Sequence, residues 1–109
     1  MKKMGMCIKL KKSKVQEYKT LHKNCPKEIR DILTKANIKN YSIFLKEPEN
    51  ILFSYFDYLG NNFTKDMQDM ADNEINKQWW DLCSPCQEPF KEIKKSEWWF
   101  EMPSVFYND

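Results

Sequence analysis

The sequence predicts an α+β fold in which helices cover one face of an antiparallel sheet. Three observations lead to this prediction: a two-residue alternation near the N-terminus, two aromatic segments separated by a short turn, and two stretches with apolar residues at helical spacing. The segments follow one another as strand, helix, strand, strand and helix, and an aromatic segment at the C-terminus can add a last strand. Helices in this order pack on the sheet that the strands form.

The first strand and the first helix are predicted in the N-terminal part of the chain. Alternate positions of the strand are apolar, namely Met4, Met6, Ile8 and Leu10. Ser13 and Gln16 are spaced as in a capping box, which predicts that a helix begins there and continues to about Asn37. Pro26 lacks an amide hydrogen and interrupts the apolar stripe, so we expect the helix to break just after His22.

A hairpin is predicted in the middle of the chain. The segments 41–46 and 51–58 are rich in β-branched and aromatic residues, and Glu47-Pro-Glu-Asn50 between them is typical of a turn. Three residues of the first segment share one face of the strand, namely Tyr41, Ile43 and Leu45. The hairpin therefore supplies two adjacent antiparallel strands.

Further helices are predicted after the hairpin. Asn61 and Asn62 can cap a helix, whose apolar positions are Phe63, Met67, Met70 and Ala71. A shorter helical segment is predicted from about Glu74 to Leu82. The polar residues that follow, up to Ser96, predict a long loop.

The segment from Trp98 to Tyr107 predicts the last strand. Pro103 suits the start or the edge of that strand, and residues 104–107 can pair with a neighbour. The complete order is β-α-β-β-α-β, which is the ferredoxin-like arrangement and leaves one aromatic sheet face without helices. Because exposed apolar faces usually mark interfaces, we expect a homodimer.

Length and charge limit the possible functions. The 109 residues make a single small domain, 1–109. The formal net charge of +2 gives no general attraction to nucleic acid, and the lysines near the N-terminus are typical of a solvated strand edge. No apolar run is long enough to span a bilayer and no secretory signal is present, so we expect a cytoplasmic protein without a nucleic acid or membrane partner.

The four cysteines are expected to be reduced thiols, because a chain with this many large apolar residues needs no disulfides. Cys83 and Cys86 form a CxxC motif, which suits a redox pair or half of a zinc site. The chain has no second CxxC and no nearby histidine, and the motif follows a helical segment instead of opening one. We therefore expect structural cysteines and no metal site.

Tyr18 and His22 are the first candidate functional residues. Their four-residue spacing places both rings on one face of a helix, and His22 is the only histidine of the chain. An imidazole can give and take a proton near neutral pH, so this pair can serve acid and base catalysis. The alternative is simple packing, with Tyr18 in the core and His22 at its rim.

Aromatic residues elsewhere extend this candidate site. Trp79 and Trp80 are adjacent on a helix, so only one of them can easily point inward, and the other lies near a surface or a pocket. Indole rings stack on the CH faces of sugars, although core packing is the commoner role. Tyr41 can meet the face of Tyr18 and His22 if the helix packs on the strand as predicted. Trp98 and Trp99 are assigned to packing.

Five segments resemble the L-rhamnose mutarotase family. They are Tyr18-x-x-x-His22, Asn40-Tyr-Ser-Ile-Phe-Leu45, Asn50-Ile-Leu-Phe53, Gln78-Trp79-Trp80 and Val105-Phe-Tyr107. The resemblance covers most of the chain, in the same order and spacing. It implies a dimeric α/β barrel made of ferredoxin-like subunits, in agreement with the arrangement predicted from the residues.

The resemblance also implies an activity and a set of site residues. It implies a cofactor-free mutarotase that interconverts the α and β anomers of a 6-deoxy sugar, with L-rhamnose as the expected monosaccharide. His22 matches the catalytic proton donor of the family. Four residues match its substrate-binding positions, namely Tyr18, Tyr41, Trp79 and Trp80.

The sequence departs from the family beyond the histidine. Many relatives carry Trp-Pro-Glu there, and this chain has Pro26-Lys-Glu28. The departure leaves L-fucose, or another 6-deoxy sugar, open as the substrate. Two further alternatives remain: a non-catalytic dimeric module that binds a small ligand, and a metal-free monooxygenase of the same fold class.

Overall fold

The computed structural model describes residues 1–94 and 97–109 and has an α+β fold with an antiparallel sheet. The strands are β1 (Lys2–Leu10), β2 (Ile38–Lys46), β3 (Ile51–Tyr58), β4 (Gln87–Glu88) and β5 (Phe100–Met102). The helices are α1 (Val15–Lys23), α2 (Lys27–Lys35), α3 (Phe63–Asp72) and α4 (Glu74–Cys83). None of the described helices is long and apolar enough to cross a bilayer.

The sheet has the strand order β2-β3-β1-β4, and β5 pairs with β1 on the same side as β4. All pairs are antiparallel, and the register places Ile8 of β1 opposite Leu52 of β3. The short strands β4 and β5 pair with different parts of the same edge of β1. Strand β4 lies opposite Lys9 and Leu10, and β5 lies opposite residues 5–7. The predicted α+β class, the hairpin and its turn are confirmed.

The helices pack on one face of the sheet, which we call the covered face. Even-numbered residues of β1 and β3 point to it and form two core clusters. The first contains Ile8, Leu10, Tyr18, Leu52, Cys83 and Cys86. The second contains Met4, Ala36, Ile38, Phe56 and Tyr58. The site residues described below lie over the first cluster.

The opposite face, which we call the open face, has no helix over it in the described chain. Phe44 of β2 lies opposite Phe53 of β3, and the same row continues through Cys7 to Phe100. The Phe44 side chain is 66% exposed and that of Phe53 is 37% exposed. A polar cluster lies beside this row, where Lys3 contacts Tyr55 and Asp57. The open face is therefore aromatic and partly charged.

A bulge in β2 directs Tyr41 to the covered face. Lys39 lies opposite Asp57 and Ser42 opposite Tyr55, so β2 has one residue more than β3 between these pairs. Asn40 lies within the bulge at φ 54°, a left-handed conformation that asparagine tolerates well. Without the extra residue Tyr41 would point to the open face, but it packs on Phe56 instead.

The predicted break in the first helix and the predicted second pair of helices are confirmed. Helix α1 ends at Lys23, and α2 begins at Lys27 after Pro26. The Asn62 side chain accepts a hydrogen bond from the Lys65 amide and so caps α3 as predicted. Helix α4 spans the predicted segment and ends one residue later than expected, at Cys83.

Three local predictions are wrong. Ser13 does not cap α1, because it lies in a 3₁₀ turn (Lys12–Lys14) and makes no capping hydrogen bond. The loop predicted up to Ser96 contains β4, and Ser96 itself lies outside the described residues. The last strand is Phe100–Met102 and ends before Pro103, which has no amide hydrogen to donate to a ladder. Residues 104–107 therefore do not form the predicted strand.

Candidate active site

Tyr18 and His22 stack on one face of α1. Their ring centroids are 4.1 Å apart and the planes are inclined by 31°. Tyr18 is buried in the first core cluster, whereas His22 is half-buried. The helical spacing in the sequence correctly predicts this pair, and the two residues have the core and rim positions that simple packing also requires.

The hydrogen bonding of His22 defines which of its nitrogens can react. Nδ1 lies 3.0 Å from the Tyr18 carbonyl oxygen. Because a carbonyl only accepts, Nδ1 carries the hydrogen and donates it. In the neutral ring Nε2 then has a free lone pair, and no described residue makes a hydrogen bond with it. His22 is therefore oriented as a base.

Burial lowers the pKa of His22 below its ordinary value of 6.5, and the hydrogen bond to the Tyr18 carbonyl opposes this shift. The imidazole is consequently neutral near pH 7. A neutral ring that accepts a proton at Nε2 can return it from the same atom. The geometry thus allows one side chain to act first as a base and then as an acid.

Trp79 of α4 extends the aromatic group formed by Tyr18 and His22. Its ring centroid is 5.3 Å from that of His22, at an edge-on angle of 63°. Trp80 points away from this group and is 41% exposed. As predicted for adjacent residues of a helix, one tryptophan packs inward and the other lies at the surface.

A cleft of about 360 Å³ opens beside Tyr18 and His22, between α1 and the hairpin. Its apolar wall is made by Leu10, Ile43, Phe44, Leu45 and Leu52. Lys19 and Lys23 of α1 also line it. The cleft therefore combines an apolar surface, an imidazole and two flexible cations, and its size suits a small molecule.

The hydroxyl of Tyr18 belongs to a hydrogen-bond chain that is buried at Tyr18 and Gln87 and reaches the surface at Trp98, which is 42% exposed. The Gln87 side-chain amide donates to Tyr18 Oη over 3.2 Å, and Trp98 Nε1 donates to Gln87 Oε1 over 2.7 Å. Burial raises the pKa of Tyr18, the Tyr41 hydroxyl adds to the rise, and the Gln87 hydrogen bond opposes it. The sequence did not indicate Gln87, because a polar residue in a predicted loop carries no periodic signal.

Tyr41 lies on the same face of the sheet, and its hydroxyl is close enough to Tyr18 to raise the pKa of that phenol. Its ring packs edge-on against Phe56, with centroids 5.5 Å apart. The side chain as a whole is 39% exposed, yet desolvation of the hydroxyl raises its pKa to about 12, with a smaller contribution from Cys83. The Tyr41 hydroxyl therefore stays protonated and can act as a hydrogen-bond donor.

The Pro26 segment contributes to a second cleft of about 340 Å³, between α2 and α4. It is lined by Pro26, Glu28, Ile29, Ile75, Gln78, Trp79 and Leu82. Pro26 and Glu28, which belong to the segment that departs from the family pattern, therefore line a cleft with Trp79, and Trp79 also contacts His22.

Cys83 and Cys86 are free and buried in the first core cluster. Burial raises the pKa of the Cys83 thiol to about 12, and burial together with Glu17 raises the pKa of Cys86. Both groups are therefore thiols and not reactive thiolates at neutral pH. Among residues 1–94 and 97–109, no group of three or more metal-ligating side chains could hold a metal ion.

Comparison with known proteins identifies the family. A family model described as L-rhamnose mutarotase matches residues 3–108. The chain belongs to the L-rhamnose mutarotase family. The resemblance seen in the sequence is confirmed, and so is the predicted enzyme class, because L-rhamnose mutarotases are carbohydrate isomerases.

Individual L-rhamnose mutarotases are similar over nearly the whole chain. The protein of that name from Formosa agariphila is 32% identical over 103 residues, which cover 85% of this chain and 96% of the relative. The one from Bacteroides thetaiotaomicron is 28% identical over 109 residues and covers both chains completely. The crystal structure of an L-rhamnose mutarotase from Formosa agariphila superposes with a TM-score of 0.78, at 27% identity and complete coverage of both chains.

Proposed function

We propose that this chain interconverts the α and β anomers of L-rhamnose. In this proposal His22 is the catalytic residue, and the substrate-binding residues are Tyr18, Tyr41, Trp79 and Trp80. The observation that carries it is the position of Tyr18 and His22, stacked on each other at the wall of a cleft of about 360 Å³. Membership of the L-rhamnose mutarotase family supports the choice of sugar.

The proposed reaction moves one proton between two oxygens of the sugar. Neutral His22 takes the proton of the anomeric hydroxyl at Nε2, and C1 forms a double bond to that oxygen while its bond to the ring oxygen breaks. The imidazolium gives the same proton to the former ring oxygen, which leaves the open-chain aldehyde. After rotation about the C1–C2 bond the steps reverse, and the ring closes on the other face. Because only a proton moves, no metal or redox cofactor is required.

The cleft suits a 6-deoxy sugar because its wall is mostly apolar. The partly buried Ile43 and Leu45 offer surface to the methyl group that replaces the hydroxymethyl of other hexoses. The amines of Lys19 and Lys23 can donate hydrogen bonds to sugar hydroxyls at the rim. Trp79, which contacts His22, can stack on sugar CH groups there. Trp80 does not line the cleft and is included because it matches a substrate-binding position of the family.

The proposal includes a ferredoxin-like subunit, 1–109, that forms a homodimeric α/β barrel through its open face. Support comes from the exposure of Phe44, at 66%, on the open face. Further support comes from the C-terminal segment, where Val105 is 95% exposed and Phe106 is 82% exposed. Apolar surface of this extent is typical of subunit interfaces. We also propose a cytoplasmic location, where free thiols such as those of this chain stay reduced.

NMR saturation transfer between the anomers of L-rhamnose tests this function. We expect the purified protein to accelerate the exchange well above the rate in buffer. L-fucose and other 6-deoxy aldoses, measured in parallel, show whether the departure at Pro26-Lys-Glu28 changes the sugar. If no sugar exchanges faster with protein, the enzymatic proposal fails. Sugar-dependent quenching of tryptophan fluorescence without exchange would then identify a non-catalytic binding module.

A further inference from the structure

The Tyr18 hydroxyl has one hydrogen-bond partner in the described part of the chain, the amide of Gln87, and that partner donates. A phenol oxygen that accepts a hydrogen bond keeps its own hydrogen available for donation. Tyr18 is only 4% exposed, so an unused O–H group at this position costs free energy unless a ligand or water accepts from it. The direction of the bond between Gln87 and Tyr18 is therefore important for the site.

Trp98 determines that direction. An indole N–H can only donate, so the Gln87 atom that it meets at 2.7 Å must be the amide oxygen. The NH₂ group of Gln87 then has to face Tyr18, because the two groups sit on opposite sides of one planar amide. With the amide reversed, its NH₂ group would face the indole N–H and two donors would oppose each other.

Two short strands that pair with β1 hold Gln87 and Trp98 in place. Gln87 is 6% exposed and lies in β4, opposite Leu10 of β1. Trp98 lies two residues before β5, and β5 pairs with residues 5–7 of β1. The orientation of the Gln87 amide is thus supported by strand pairing at two points.

We propose that Gln87 and Trp98 are positioning residues that make the Tyr18 hydroxyl a hydrogen-bond donor to the sugar. Trp98 orients the Gln87 amide, the amide donates to Tyr18 Oη, and the Tyr18 hydrogen is left for a sugar oxygen beside His22. Donation by Gln87 also opposes the rise in the pKa of Tyr18 that burial causes, which makes the phenol a better donor. This inference rests on the proposed function, in which Tyr18 binds the substrate.

A double-mutant cycle with Trp98→Phe and Tyr18→Phe tests the inference. Trp98→Phe removes the indole N–H and frees the Gln87 amide to turn. We expect it to lower kcat/KM for L-rhamnose exchange roughly tenfold, the effect of one lost hydrogen bond. In the Tyr18→Phe background the same change should have almost no effect, because no hydroxyl remains to be oriented.

Trp99→Phe is the matched control, because it removes an indole N–H from the next residue. Trp99 packs against the first core cluster and takes no part in the hydrogen bonds that link Trp98, Gln87 and Tyr18. The control should keep full activity. An equal loss from Trp98→Phe in both backgrounds would indicate a merely structural role and overturn the inference, as would no loss in either.

Gln87→Glu provides a second variant in case Trp98→Phe destabilises the fold. The ionised carboxylate still accepts a hydrogen bond from Trp98, but it also accepts one from the Tyr18 hydroxyl, which can then no longer donate to the sugar. The loss in kcat/KM should therefore match that of Trp98→Phe. It should again disappear in the Tyr18→Phe background. Full activity of Gln87→Glu with an ionised side chain would contradict the inference. Failure of the wild-type protein to exchange L-rhamnose would instead overturn the proposed function itself, so the two failures are distinguishable.

Discussion

The two faces of the sheet differ although the same strands build them. On the covered face, Ile8 and Leu52 are almost completely buried beneath the helices. On the open face, the row that contains Phe44 and Phe53 remains accessible. Because side chains alternate along a strand, neighbouring residues of β3 belong to different environments. One strand thus supplies both the support of the candidate site and the surface proposed for assembly.

The two faces also differ in the charge of their polar side chains. The proposed catalytic and binding groups on the covered face are neutral, with His22 uncharged and the Tyr18 and Tyr41 hydroxyls protonated. On the open face, hydrogen bonds from Asn40, Tyr55 and Lys3 lower the pKa of Asp57 to about 2. The covered face is therefore suited to moving a proton, and the open face to specific contacts with another charged or polar surface.

His22→Ala should have the largest effect and separates chemistry from folding on the covered face. Removal of a general acid and base lowers the rate of anomer exchange by roughly 10²- to 10⁴-fold. The fold should persist because His22 is only half-buried and leaves no large cavity in the core. Saturation-transfer NMR measures the rate, and circular dichroism monitors the fold. Thr20→Ala, on the exposed side of the same helix, is the control; wild-type exchange in the His22 variant would refute the assignment.

Leu52→Ala and Phe53→Ala compare the two faces at adjacent positions of β3. Leu52 is 2% exposed, so its truncation should lower the free energy of unfolding by about 2–5 kcal/mol. That loss should be independent of protein concentration. Phe53 is 37% exposed in the subunit, so its truncation should matter mainly through the dimer and grow with concentration. Urea unfolding at two concentrations measures both, and equal, concentration-independent losses would remove the distinction between the faces.

The sequence predicted those features of the covered face that depend on local periodicity. Alternation located β1, helical spacing paired Tyr18 with His22, and Pro26 located the break between α1 and α2. The adjacent tryptophans separated into one inward and one outward ring, as helical geometry requires. These features were predictable because each depends on residues close together in the chain.

Features that depend on contacts between distant residues could not be predicted in this way. Gln87 meets Tyr18 across 69 positions of the chain, and nothing in its neighbourhood indicates a polar core residue. The strand β5 is set by its pairing with β1, so the local β-propensity of residues 104–107 did not locate it. The bulge at Asn40 has a weak signal, since asparagine favours left-handed backbone, but many asparagines do not form bulges.

Phe44→Glu tests the open face as a dimer interface. A charge at this 66% exposed position costs the subunit little, but it would be buried without a partner in a face-to-face dimer. We expect the variant to sediment as a monomer at micromolar concentration while the wild type sediments as a dimer. Ile75→Glu is the matched control, because Ile75 is 49% exposed on α4, on the other side of the sheet. A wild-type protein that is already monomeric, or a dimeric Phe44 variant, would contradict the assignment of the open face.

The pH dependence of exchange should show the smallest effect, and it tests the neutral character of the covered face. Only neutral His22 has a free lone pair at Nε2, so kcat/KM should fall as the pH drops through the pKa of this residue. Burial lowers that pKa, so the midpoint of the fall should lie below the ordinary value of 6.5. Above it the rate should be constant through neutral pH, since the pKa of Tyr41 is raised to about 12 and its hydroxyl stays protonated. Exchange rates measured by NMR across this range locate the midpoint. A midpoint above 6.5 would contradict the lowered pKa of His22. A rate that rises as the pH falls would mean that the charged imidazole is the active form, so that His22 starts the reaction as an acid and the order of proton transfers is the reverse of the one proposed.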